Sequence, residues 1–244
     1  MTLFVDGCMR ENSRTRELAE TVLKKLGGEV VRLSLAEEGV VGLTPETLQL
    51  RDSLLAAEDY DHPFFALARQ FAAADTIVIA APYWDLLFPA AVRGYVEQIT
   101  VGGITFRYDD HGVPQSLCRC KHLVYVTTAG GPIFRNFGFE YIEAVAKGFF
   151  GVEKVECFTA EGLDIYGADV DGIMGEAKKK IKSTHGARST SAPSDEGAGF
   201  LRSKKTGGEK TNIFQVLSLP PSVLRTATSL VRGRQGRALP AKNY

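Results

Sequence analysis

The 244 residues carry equal numbers of basic and acidic side chains, 29 of each, and 44% of them are hydrophobic, ample for a buried core. The zero net charge is a cancellation between unlike parts: residues 1–182 hold 19 Lys and Arg against 26 Asp and Glu, whereas residues 183–244 hold 10 against 3. No window approaches the roughly 18 uninterrupted apolar residues of a membrane span, and Asp6 interrupts the short apolar start that a signal peptide would extend, so a cytoplasmic protein is expected.

Residues 2–5 read as a short buried strand. From Arg14 onward Leu18, Val22, Leu23 and Leu26 fall on one helical face, until Gly27-Gly28 stops the helix. Residues 29–33 alternate as a second strand. Thr44-Pro45-Glu46 then opens a helical region, Thr44 as cap and Pro45 where a missing N–H costs nothing. A further helix is predicted over 63–74, followed by the continuous apolar run Thr-Ile-Val-Ile-Ala at 76–80, the pattern of a strand covered on both faces.

Helical periodicity resumes over 89–100. Residues 104–108 and 113–115 frame a small hairpin around the polar turn Asp109-Asp110-His111-Gly112. His111 reads as a solvated turn residue. A buried strand at 123–127, a helix at 139–150, a strand at 152–159 and a last helix at 170–182 complete the unit. Cys8, Cys118, Cys120 and Cys157 form no secretory framework, Cys118 and Cys120 are too close for a Cys-x-x-Cys motif, and no metal site is expected.

Five strands separated by right-handed helical crossovers predict an α/β three-layer sandwich with a parallel sheet of order 2-1-3-4-5. In such sheets ligands bind beyond the carboxyl ends of the strands, where the winding changes direction. That rule points to the loops 6–15, 81–88 and 127–132. In the first, Ser13 and Thr15 hydroxyls with Arg10 and Arg14 at a helix N-terminus suit a terminal phosphate, although Ser13 is equally a plain helix cap. Cys8 lies in the same loop and joins the candidate binding set.

In the second loop, Pro82-Tyr83-Trp84-Asp85-Leu86 places aromatic side chains that either cover a planar heterocycle or simply pack in the core, the commoner role of such residues taken alone. Asp85 is expected either as a helix cap or as a polar contact in the site. In the third, Thr128-Ala129-Gly130-Gly131 offers backbone N–H groups and two glycines that permit close approach and unusual dihedrals.

The ordered set Ser13-Arg14-Thr15, Ala81-Pro82-Tyr83-Trp84-Asp85, Phe88-Pro89-Ala90, Gly103-Ile104-Thr105-Phe106-Arg107-Tyr108 and Thr127-Thr128-Ala129-Gly130-Gly131 resembles the flavodoxin-like FMN-dependent NAD(P)H oxidoreductases, which include quinone reductases and azoreductases. The resemblance covers nearly all of residues 1–182. It implies that Ser13, Arg14 and Thr15 hold the FMN phosphate, that Pro82 to Leu86 run along the ribityl chain and one isoalloxazine edge, and that Thr128 to Gly131 meet the flavin's polar rim.

It further implies alternate occupancy, with NADH or NADPH and then a quinone, nitro or azo acceptor in the same place, a homodimer, and no catalytic side chain because FMN carries the chemistry. Tyr108 and Phe134 are candidate walls of the substrate space and equally plausible packing residues. Azoreductases often have Asn where this chain has Asp85 and Ser-Arg where it has Thr128-Ala129. A flavodoxin-like electron carrier without a substrate cavity is the alternative.

No resemblance reaches residues 183–244. Their polar linker and basic, glycine-containing stretch predict a largely disordered tail, with short helices at 213–219 and 223–231 around Pro220-Pro221. A basic amphipathic piece at 222–232 would contact a membrane or a protein partner as an interaction module. No nucleic-acid partner is expected.

Overall fold

The computed structural model describes residues 1–184. The expectations for residues 185–244, the two short helices included, lie outside the described residues. Strands β1 (Thr2–Asp6), β2 (Val30–Ser34), β3 (Thr76–Ala80), β6 (His122–Thr128) and β7 (Lys154–Ala160) form one sheet of order β2-β1-β3-β6-β7, every neighbouring pair parallel. Counted without the separate antiparallel hairpin of β4 (Phe106–Tyr108) and β5 (Pro114–Ser116), this is the predicted 2-1-3-4-5 winding.

The central strands alternate between two apolar layers, as a pleated backbone requires. Leu3, Val5, Ile77, Ile79, Leu123 and Tyr125 face α3 (Ala66–Ala73), α4 (Ala90–Ile99) and α5 (Phe137–Gly148). Phe4, Val78, Ala80, Val124 and Val126 face α1 (Arg14–Leu26) and α6 (Val170–Ser183). Both sides being covered explains why these strands read as unbroken apolar runs, each fully buried large side chain adding about 1.5–3 kcal/mol. Helix α2 (Pro45–Ala56) has no buried residue, so a reciprocal Thr44/Thr47 capping box defines its start.

Local chemistry moves several boundaries. The helix expected from 63 begins as a 3₁₀ turn, Pro63–Phe65, whose Phe64 N–H donates to His62 Nδ1 at 3.1 Å. Helix α5 starts two residues early because Asn136 caps it, its Oδ1 accepting from Phe139 N–H at 2.9 Å. Among the described residues no helix is long and apolar enough to cross a membrane.

All five sheet strands point one way, so the crossover helices run back to the opposite rim. There, at the amino ends of the strands, α4 delivers the chain into the hairpin. The Phe106 ring packs edge-on against Phe149 at 5.1 Å, and Ser116 Oγ donates to the Phe150 carbonyl at 2.6 Å.

Candidate functional site

The first loop leaves β1 at Gly7, whose N–H donates to the Ala80 carbonyl at 2.8 Å and whose Cβ, if it had one, would stand 2.5 Å from Val92 Cγ2. Asp6 Oδ1 accepts from Cys8 N–H at 2.9 Å. Arg16 gathers the rest: its Nε pairs with the Asp6 carboxylate, Nη1 donates to the carbonyls of Arg10 at 3.0 Å and Glu11 at 2.6 Å, and Nη2 donates to that of Cys8 at 3.2 Å. A single guanidinium therefore fixes the approach to α1. Ser13 caps that helix, its Oγ accepting from Arg16 N–H at 3.3 Å, while the remaining first-turn amides have no intrahelical partner.

The other loops are joined to this one. Thr15 Oγ1 and Thr128 Oγ1 share a hydrogen bond of 2.6 Å, both side chains buried, and Tyr83 N–H donates to the Thr128 carbonyl at 3.0 Å. A fourth segment, the turn after β7, is stitched to the glycine loop by Gly162 N–H to Gly131 O (3.1 Å), Leu163 N–H to Ala129 O (3.2 Å) and Asp164 N–H to Gly130 O (2.8 Å).

Together these segments enclose a cavity of about 220 Å³. Ten of the residues singled out from sequence line it: Arg10, Ser13, Arg14 and Thr15 from the first loop, Pro82, Tyr83 and Trp84 from the second, and Thr128, Ala129 and Gly130 from the third. Met9, Asn12, Leu163 and Asp164 complete the lining. Sequence reasoning missed Leu163 and Asp164, although the sheet-rim rule that found the other loops applies equally to the carboxyl end of β7.

Other expected site residues stand elsewhere. Cys8 is 1% exposed and turns its sulfur toward the Ala80 carbonyl at 3.9 Å, and burial first of all pushes its thiol up to about 12, so it is a neutral packing residue. Asp85 and Leu86 form the centre of a tight turn, with φ of 51° and 69°, closed by hydrogen bonds between the backbones of Trp84 and Leu87. Asp85 is therefore neither a helix cap nor part of the lining; Pro89 occupies the N-cap of α4.

Gly131 lies beside the cavity lining, and neither it nor Gly130 adopts positive φ. Glycine at 130 leaves the Asp164 carboxylate its place, since a Cβ there would stand 2.3 Å from Asp164 Oδ2. Phe134 is 86% exposed outside the lining. Tyr108 sits on the hairpin at the opposite rim of the sheet, outside the lining of the cavity.

The donor set fits FMN. Two guanidinium-bearing residues, two hydroxyls and the start of α1 meet the needs of a phosphate monoester, and Tyr83 with Trp84 offers flat apolar surface for a ring system. The charged side chains of the lining are Arg10, Arg14 and Asp164, and Arg14 is tied to the last of these: its Nη2 donates to Asp164 Oδ1 at 2.6 Å and its Nη1 to the Leu163 carbonyl at 3.0 Å.

Comparison with known proteins agrees with the architecture. The family model described as flavodoxin-like fold matches residues 1–184. The chain is 35% identical over 181 residues to the FMN-dependent NADH:quinone oxidoreductase 2 of Clostridium acetobutylicum, covering 70% of this chain and 89% of that protein. It is 36% identical over 182 residues to the FMN-dependent NADH:quinone oxidoreductase of Coprothermobacter proteolyticus, covering 70% and 90%.

Among solved structures, an azoreductase from Bacillus anthracis superposes with a TM-score of 0.62 at 23% identity, over 74% of this chain and 96% of that one. An FMN-dependent NADH-azoreductase from the same species, in complex with FMN, gives 0.61 at 17% identity over 74% and 95%, and both likenesses bear on the fold. By the matched model and these relatives, the chain belongs to the flavodoxin-like fold family, in the company of the FMN-dependent NADH:quinone oxidoreductases.

Proposed function

We propose that residues 1–184 form an FMN-dependent NADH:quinone oxidoreductase. The observation that carries this reading is the convergence of Arg10, Ser13, Arg14 and Thr15 with Pro82–Trp84 and Thr128–Gly130 on one cavity, in a chain about 35% identical to proteins of that name. FMN, when bound, supplies the two-electron chemistry between a reduced nicotinamide and a quinone. The protein's own part is to bind and orient.

Arg10 and Arg14 attract the phosphate, and Ser13, Thr15 and the first amides of α1 supply its hydrogen bonds. Tyr83 and Trp84 present an apolar face that keeps water from the reacting ring, and the Gly130 N–H addresses its polar edge. No side-chain acid or nucleophile is assigned. NADH is the donor indicated by the relatives' names, and quinones, with azo and nitro compounds as chemical analogues, are the acceptors.

A homodimer is part of the same proposal. Trp84, Leu86 and Leu87 are 41%, 44% and 41% exposed at the tip of the second loop, and with Phe134 they give the region of the cavity an apolar surface suited to a second copy. A cytoplasmic location accords with the four free thiols.

The test is a visible spectrum of the purified protein followed by anaerobic addition of NADH and then a quinone. A yellow protein that bleaches with NADH and recovers its colour with the quinone supports the assignment. A protein that takes up no FMN at saturating concentration removes it, and one that binds FMN but is bleached by neither NADH nor NADPH is an electron carrier.

A further inference from the structure

Among the described residues Asp164 is the one carboxylate in the lining of the cavity, and it sits against a residue assigned to the phosphate. We propose that Asp164 is a specificity-determining residue that competes with the cofactor's phosphate for Arg14, holding the site's preference for a phosphorylated over an unphosphorylated flavin below what its cations would otherwise give. The inference rests on the FMN reading above and goes further by assigning a side chain that works against the phosphate.

Three features of the structure support it. The carboxylate is placed by the backbone: Gly162, Leu163 and Asp164 each donate an N–H to the glycine loop, at 3.1, 3.2 and 2.8 Å. It is also accommodated: a Cβ at position 130 would stand 2.3 Å from Asp164 Oδ2, so Gly130 leaves the carboxylate its place. Finally, it already engages the cation, with Arg14 Nη2 donating to Asp164 Oδ1 at 2.6 Å and Nη1 to the neighbouring Leu163 carbonyl at 3.0 Å.

An arginine has five N–H donors in a fixed fork. With two of them committed to the 163–164 turn, Arg14 brings a reduced complement to an incoming anion. A phosphate monoester carries close to two negative charges at neutral pH. It therefore meets an arginine whose charge is partly neutralised and a carboxylate that repels it, whereas the ring and the ribityl chain are uncharged and insensitive to both.

The experiment measures dissociation constants of FMN and riboflavin for the flavin-stripped full-length chain, by quenching of flavin fluorescence, in the wild type, Asp164→Asn and Arg14→Gln. The amide of Asp164→Asn keeps the size and a hydrogen-bonding oxygen while removing the charge. The expected result is FMN binding roughly three- to tenfold tighter in Asp164→Asn, with riboflavin binding unchanged and the gain shrinking in about 1 M salt. Arg14→Gln should weaken FMN and leave riboflavin alone.

Unchanged or weaker FMN binding by Asp164→Asn overturns the proposal, and so does an equal shift for both flavins, which would mark the turn as a packing element. A wild type that binds FMN while Asp164→Asn shows no gain refutes this inference alone. A wild type that binds no FMN refutes the functional assignment together with it.

Discussion

Removing either hydroxyl of the Thr15–Thr128 pair should loosen the site before any cofactor arrives. The two side chains are 1% and 8% exposed and their oxygens lie 2.6 Å apart, joining the first turn of α1 to the carboxyl end of β6. A neutral hydrogen bond contributes about 0.5–1.5 kcal/mol net, but a buried group left without its partner costs about 1–3 kcal/mol. Thr15→Val and Thr128→Val are therefore each expected to destabilise the apoprotein by about 1–2 kcal/mol. For a domain of this size that lowers Tm by roughly 2–8 °C.

The double variant removes both hydroxyls and strands neither. Its loss should be close to that of one single substitution, giving a coupling of about 1–2 kcal/mol in a double-mutant cycle. Urea unfolding must be followed on flavin-free protein, because bound cofactor would stabilise each variant according to its own affinity. If the two single losses simply add in the double variant, the hydroxyls do not bridge the loops and the account of how the cavity is held together is wrong.

Leu86 has φ of 69°, a conformation that costs a branched side chain about 1–3 kcal/mol. Leu86→Gly gives back about 0.5–1 kcal/mol in backbone entropy, so a net stabilisation of about 1 kcal/mol is expected. A urea midpoint that falls would count against strain in this turn. Burial raises the Glu156 carboxyl, but hydrogen bonds from Lys154 and His122 outweigh it and hold the group below the ordinary value of 4.5. A depressed folded pKa stabilises the protein above the unfolded value and loses that contribution as pH falls through the folded one. Acid titrations should therefore show Glu156→Gln less stable than wild type near neutrality, with the gap closing below pH 4.5; a gap that stays constant across that range refutes the linkage. A chain ending at Thr184 should bind FMN as the full chain does, measured by fluorescence titration, and a loss of binding would place part of residues 185–244 in the fold.

The sheet was legible because strands covered on both faces must be apolar at every position, and 76–80 and 123–127 are. Edge strands β2 and β7 announced themselves more faintly: β7 starts at Lys154, two residues later than expected, after Gly151 turns the chain at φ 62°. Three cavity loops were legible as the ends of strands. The 161–164 turn follows the same rule, but Glu161-Gly162-Leu163-Asp164 shows no aromatic or cationic signature to single it out.

The place of Tyr108 was also readable in principle. A hairpin between a descending helix and the next parallel strand has to lie at the amino ends of the strands, whatever its composition. Asp85 and Gly130 were not readable in this way: one is fixed by a turn type that its residues do not favour, the other by a carboxylate 34 positions further along the chain.

The grip of Arg16 on the carbonyls of Cys8, Arg10 and Glu11 has a thermodynamic corollary. A mould already set by its own salt bridge spends little of an incoming ligand's affinity on freezing loose chain. Flavin uptake should then resemble insertion into a rigid socket, with a small heat-capacity change confined to the surface covered, and emptied protein should keep its shape through repeated cycles of loading and release.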